Sequence, residues 1–167
     1  EGLDCALVVA ERDVAPAEGV PLVIVNDSRK ALAALAATLE GNPSHSLSVV
    51  GITGTNGKTT TSWILESILA AAGRRVGVIG TTGHRLFGES LPTRFTTPPA
   101  PQWQGLIRQM RDRGCEFLVS EVSSIALDAR RVDRTRFEIG VFTNLSRDHL
   151  DYHGNMKSYL NAKLKIF

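Results

Sequence analysis

The sequence predicts an α/β fold: a mainly parallel sheet with helices on both faces, preceded by the end of a smaller α/β unit. Short apolar runs alternate with segments of helical periodicity, the pattern of strands joined by crossover helices. A glycine-bearing loop lies between one of these runs and the helix after it. The pattern also pauses at Gly41-Asn42-Pro43-Ser44 and then restarts, which divides the chain into residues 1–45 and 46–167.

The first unit is short. The runs at 5–9 and 22–25 read as strands. Asp27 or Ser28 can cap a helix over 29–39 that places Leu32, Leu35, Ala36 and Leu39 on one face. The second unit opens with a strand over 47–53 that runs into the glycine loop. A helix over 59–72 follows, with Trp63, Ile64, Ile68 and Ala71 expected inward and Gly73 at its C-terminal end. Next come a strand over 76–79, a long polar connection over 81–99, and a helix over 101–113 closed by Gly114. Strands over 116–122 and 137–143 and a helix from 156 complete the chain. Sheets of this kind bind ligands at the carboxyl ends of their strands, where the chemistry-bearing residues fall.

Composition narrows the classes. The 167 residues are 43% apolar and 22% charged, which suits a folded domain. The net charge of +2 is dispersed and forms no basic stripe with interleaved aromatics, so no nucleic-acid partner is expected. No apolar run approaches the ~18 residues of a membrane span. Cys5 and Cys115 have no metal or redox spacing and read as two buried thiols in a reducing compartment. Glu1 opens the chain in place of Met, and a helical pattern is still running at Phe167. A segment of a longer protein is therefore expected.

Gly54-Thr55-Asn56-Gly57-Lys58-Thr59-Thr60 joins a strand to a helix. Small residues let backbone N–H groups turn around phosphate oxygens, and the helix adds its positive N-terminal end. Lys58 can set an ammonium against the β- and γ-phosphates, and the Thr59 hydroxyl can ligate Mg²⁺. The loop is the short form G-x-x-G-K-T, because position 52 is Ile where the longer motif has Gly. A phosphate-loop kinase or GTPase would show the longer loop, and a GTPase also a base-reading N/T-K-x-D motif, which is not found.

Two further strand ends carry acid and imidazole. The apolar run before Glu121 places a carboxylate where phosphate-loop proteins hold Mg²⁺ or its water shell. A Glu at the end of a buried run costs desolvation unless a cation or hydrogen bonds offset it. The run at 141–145 leads into Ser146-Arg147-Asp148-His149-Leu150-Asp151-Tyr152-His153-Gly154. Its two His and two Asp suggest zinc in isolation, but no further ligand completes a closed site. Beside a phosphate loop, a Mg²⁺ role for His149 is more economical. His45, His84 and His153 read as solvated or structural.

These residues resemble the Mur ligases, a family that includes the folylpolyglutamate synthetases. The loop 54–60 preceded by Gly51-Ile52-Thr53 matches the family's ATP loop. The run from Asn144 to Gly154, with Glu121-Val122-Ser123-Ser124, resembles the branch that adds the third residue of the peptidoglycan stem peptide. The similarity runs from about Ala6 to the last residue and is strongest from Val50 onward.

The resemblance implies a set of roles. Residues 54–60 bind ATP, with Lys58 on its phosphates. Thr59 and Glu121 hold one Mg²⁺, and His149 helps hold a second. Lys163 is the carbamylated lysine that bridges to that second metal, so Lys58, His149 and Lys163 form the catalytic set. Thr96, Thr97, Ser123 and Arg131 contact the UDP-muramoyl dipeptide. Residues 1–45 are then the end of the UDP-substrate domain, and 46–167 the first part of the central ATP-binding domain. A C-terminal amino-acid-binding domain is absent.

Two positions depart from the pattern: Ile125 stands where many relatives have His, and Ala129 where they have Gln. The second removes one substrate hydrogen bond from the expected set. Asp27-Ser28-Arg29 is similar to a substrate motif near the family's amino terminus, but its place before the loop fits the end of the first domain.

The implied activity is joining meso-diaminopimelate or L-lysine to UDP-MurNAc-L-Ala-D-Glu through an acyl phosphate. It would belong to a monomeric enzyme of the bacterial cytoplasm with no membrane partner. The piece alone is expected to be inactive as a ligase. The alternatives are a folylpolyglutamate synthetase relative and a truncated, non-catalytic nucleotide-binding module.

Overall fold

The structure is a computed structural model that describes residues 6–16, 18–91 and 93–167. Cys5, at the start of the first expected strand, lies outside the described residues. Strand β1 (Val8–Ala10) pairs in parallel with β2 (Leu22–Ile24), Val8 opposite Leu22 and Ala10 opposite Ile24. Helix α1 (Ser28–Leu39) follows, and Asp27 caps it by accepting a 2.8 Å hydrogen bond from the Lys30 N–H.

The buried face of α1 is Ala33, Ala36 and Ala37, while Leu32, Leu35 and Leu39 are exposed. Of the expected face only Ala36 is inward. The cause is the neighbour. Ala33 and Ala36 pack against Ala100 at the start of helix α3 (Ala100–Asp112), where small side chains permit close approach. Leu35 turns instead to an apolar groove shared with Val9, Val23 and Val25.

A 3₁₀ turn over Pro43–Ser46 links this unit to a six-stranded sheet. Its strands are β3 (Ser48–Thr53), β4 (Val76–Gly80), β5 (Gly83–Leu86), β6 (Glu89–Leu91), β7 (Phe117–Glu121) and β8 (Ile139–Phe142). Their order across the sheet is β6, β5, β4, β7, β3, β8. The pairs β4–β7, β7–β3 and β3–β8 are parallel, whereas β4–β5 and β5–β6 are antiparallel. The expected polar connection over 81–99 therefore contains a hairpin. Its strands are too short to show a period, and buried Arg85 interrupts the apolar signal.

One face of the sheet is covered by helix α2 (Lys58–Ala71), whose Leu65 and Leu69 pack on Val50, Ile52, Val76, Val78 and Val119. The other face takes Trp103, Ile107 and Met110 of α3, with Leu127 of α4 (Ser124–Asp128) and Ile166 beyond α6 (Met156–Leu164). A four-residue helix α5 (Leu150–His153) precedes α6. Neither α4 nor α5 is long enough to leave a periodic signal.

The expected inward face of α2 is not the observed one. Trp63, Ile64 and Ile68 are exposed, Ile68 by 58%, and Ala71 is exposed too. The helix is apolar over much of its circumference, and its buried stripe begins with a polar residue. Ser62 is buried because its hydroxyl donates to Thr59 O at 2.8 Å and lies 3.5 Å from Glu121 Oε1. Trp63 is covered on one side by Arg85, whose guanidinium lies 3.7 Å from the ring centroid and pairs with Glu66 at 2.7 Å. Among the described residues, no helix is long and apolar enough to cross a membrane.

Candidate functional site

Strands β7 and β3 are neighbours whose connections diverge, the one leaving β3 running to β4 and the one leaving β7 to β8, and the loop that leaves the carboxyl end of β3 enters α2. Gly54 holds φ 140, and a Cβ there would overlap the Thr143 hydroxyl. Gly57 holds φ 86 and opens α2 from the left-handed region. The N–H groups of Lys58, Thr59 and Thr60 then begin the helix with no acceptor inside it. Lys58 curls back, its Nζ donating at 2.9 Å to both Gly54 O and Thr55 O. Burial lowers its pKa, and the charges of Glu121 and Asp148 oppose that shift.

Glu121 ends β7 with 0% exposure. Its Oε2 accepts from Thr59 Oγ1 at 2.8 Å and from Thr81 Oγ1 at 2.9 Å, and its Oε1 accepts from the Thr81 N–H at 3.2 Å. Gly80 gives the carboxylate room, because a Cβ at that position would overlap Oε1. Hydrogen bonds thus offset the desolvation that the sequence pattern flagged.

A cleft of about 290 Å³ opens at these strand ends. Residues 55–60, Thr96, Glu121, Ser123 and His149 line it, together with Thr81. His149 stands on its rim at φ 49, its N–H bonded to Asp148 Oδ1 at 2.9 Å.

The other expected site residues lie behind this lining. Thr97 Oγ1 donates to Glu121 O at 2.9 Å and accepts from the Ser123 N–H at 3.1 Å. Arg131 donates to Thr97 O at 3.0 Å. Gly54 turns its carbonyl to the lysines. Lys163 is buried, donates from Nζ to Gly54 O at 2.8 Å, and lies 4.3 Å from the Tyr159 ring centroid. Burial, and then the charge of Lys58, lower its pKa to about 8.

His153 braces the neighbouring element, its Nε2 lying 3.0 Å from Ser124 Oγ. Thr81, which contacts the acid, escaped the sequence pattern, and Asn144, which contacts the loop, stood only as the first residue of the family run with no role assigned. A Thr after a strand glycine and an Asn after a strand end signal only a turn.

Among the described residues no three His, Cys, Asp or Glu side chains cluster, so the zinc alternative lacks its ligands. Mg²⁺ asks for less: one or two carboxylates, a hydroxyl, phosphate oxygens and water. Thr59 and Glu121, already 2.8 Å apart, fit that donor set.

The fold and the loop together define a phosphate-loop α/β domain, with the loop on a central parallel strand and an acid on the next one. More closely, residues 52–167 match the Mur ligase middle domain, and the chain belongs to the Mur ligase family. It is 48% identical over 162 residues to the UDP-N-acetylmuramoyl-L-alanyl-D-glutamate–2,6-diaminopimelate ligase of Geobacter metallireducens, covering 97% of this chain and 32% of that protein.

A solved structure of a ligase of the same name superposes with a TM-score of 0.82 at 30% identity, over 96% of this chain and 32% of that one. E. coli FolC in complex with DHPP and ADP superposes with a TM-score of 0.63 at 25% identity, over 84% of this chain and 39% of that one. The chain thus spans about a third of the length of the curated relatives it matches.

Proposed function

We propose that the full-length protein containing this chain is an ATP-dependent ligase of peptidoglycan precursor synthesis. It joins a diamino acid, meso-diaminopimelate or L-lysine, to UDP-MurNAc-L-Ala-D-Glu. One observation carries the proposal: the phosphate loop and Glu121 share a cleft with Thr96 and Ser123, so a nucleotide-type wall faces a second, polar wall. The names of the relatives supply the substrates on this reading.

Two anions must meet for a carboxylate to be activated by a triphosphate. The N–H groups that open α2 and the Lys58 ammonium draw the phosphates in and offset that repulsion. In the bound state Lys58 leaves its own loop carbonyls for a phosphate oxygen. Mg²⁺ held by Thr59 and Glu121 would neutralise charge on the phosphates.

The D-glutamyl carboxylate oxygen attacks the γ-phosphorus, the bond to the β-phosphate oxygen breaks, and ADP leaves. The incoming amine then attacks the acyl carbon, loses a proton, and expels phosphate. Thr96 and Ser123 orient the dipeptide, and Thr97 and Arg131 hold that wall in place. Lys163 is proposed to be carbamylated: its neutral Nζ adds to the carbon of CO₂ and loses a proton. The carbamate's carboxylate and His149 would then be the groups to hold a second Mg²⁺, which would supply further charge neutralisation at the phosphates.

The domain boundary is proposed near residue 45, with 1–45 closing a UDP-substrate domain. The enzyme is proposed to be a cytoplasmic monomer. The chain by itself lacks most of the relatives' length and is proposed to be inactive as a ligase, with weak ATP binding at best.

Phosphate release by the full-length protein tests the proposal. It should require ATP, the UDP-muramoyl dipeptide and one member of a panel of diamino acids. Release driven by a folate and glutamate would select the folylpolyglutamate synthetase alternative. No release with any substrate would select a non-catalytic nucleotide-binding module.

A further inference from the structure

We propose that Asn144 is a positioning residue that fixes the shape of the phosphate loop from the adjacent strand end. The inference rests on the nucleotide reading above and deepens it. Asn144 follows β8, 88 residues away from the loop in sequence. Its side chain clamps one loop residue, Asn56, through both of its backbone groups. Oδ1 accepts from the Asn56 N–H at 3.0 Å, and Nδ2 donates to Asn56 O at 3.0 Å. Its backbone carbonyl accepts from the Thr55 N–H at 3.0 Å. Thr143 adds a hydroxyl donor to Asn56 O at 2.6 Å, and the Ser146 N–H donates to Thr55 Oγ1 at 3.0 Å.

The N–H groups of Thr55 and Asn56 are engaged by Asn144, so they are not available to phosphate. Within residues 55–60, the amides left for an anion are those from Gly57 to Thr60, at the start of α2. The clamp therefore assigns which amides form the nest. The same segment continues to His149, which lines the cleft with the loop. An amide suits both halves of the clamp. A carboxylate could accept from the Asn56 N–H but would face Asn56 O with no proton to donate.

The test uses the full-length protein, ¹⁵N-labelled and titrated with Mg·ADP by NMR, with amide exchange followed at Asn56. Asn144→Ala should lose Asn56 amide protection and bind Mg·ADP about tenfold more weakly, the equilibrium effect of losing a net hydrogen bond. Asn144→Asp should keep the Asn56 amide protected yet lose affinity to a similar degree. Thermal melts check folding; if Asn144→Ala is unfolded, the near-isosteric Asn144→Asp decides.

Wild-type affinity in the folded variants would overturn the inference. So would a loss of affinity in Asn144→Ala with Asn56 protection intact. A wild-type full-length protein that shows no Mg·ADP response up to millimolar concentration would instead refute the nucleotide reading, and the inference with it.

Discussion

Lys58 has two kinds of acceptor available and currently uses the weaker. Its ammonium is bonded to two loop carbonyls, at 2.9 Å each, although a phosphate oxygen would offer a full charge. Lys58→Ala in the full-length protein should lower turnover by about 10²–10³, the effect of removing a preorganised electrostatic donor. Steady-state phosphate release measures this, and near-normal turnover would remove Lys58 from the mechanism. A second residue tests the core. Burial raises the pKa of the Cys115 thiol from 9.0 to about 11, against the pull of Arg75. Between those values the unfolded chain gives up a proton that the folded chain keeps. Stability should therefore fall as pH rises from about 9 to about 11. Cys115→Ala, compared with wild type in thermal melts at each pH, should show a shallower decline; an identical slope would assign the loss to other groups. At this scale Glu121 was legible, because an acid closing an apolar run is costly without partners. Thr81 and the role of Asn144 were not, since nothing local marks a side chain whose partner lies far off in sequence.

At the scale of the element, α2 shows where periodicity misleads. Its apolar residues form more than one stripe, and counting hydrophobes selects Trp63, Ile64 and Ile68. The sheet instead takes Leu65 and Leu69, in line with Ser62, whose hydroxyl reaches toward the acid. Ile68→Ala should change stability by no more than about 0.5 kcal/mol, as expected for an exposed position. Leu69→Ala should cost roughly 1–3 kcal/mol, toward the low end of core truncations because the side chain is only partly buried. Urea denaturation of the two variants gives the comparison, and equal losses would contradict the observed rotation of the helix. The same difficulty affected α1, where alanines and not leucines meet the neighbouring helix. The strand–loop–helix unit around 54–60 was legible because its glycines, lysine and threonines have few other physical uses in that order.

For the whole molecule, the parallel strands were legible as apolar runs, but their order was not. The arrangement β4, β7, β3, β8 brings Gly54, Glu121 and Asn144 together from three strand ends, and pairing is not written in any one strand. The hairpin β5–β6 was also invisible, since three- and four-residue strands carry no usable period. Topology therefore does what sequence spacing does not: it gives the loop an acid on one side and a clamp on the other. The central claim is that a nucleotide's phosphates bind at the start of α2, with a metal between Thr59 and Glu121. A crystal structure of the full-length protein with a magnesium complex of a non-hydrolysable ATP analogue tests it most directly. The account predicts phosphate oxygens on the N–H groups of residues 57–60, Lys58 Nζ moved from Gly54 O to a phosphate, and the metal bound by Thr59 Oγ1 and Glu121. An analogue bound elsewhere, with Lys58 still on its own loop and Thr59 still donating to Glu121, would contradict it.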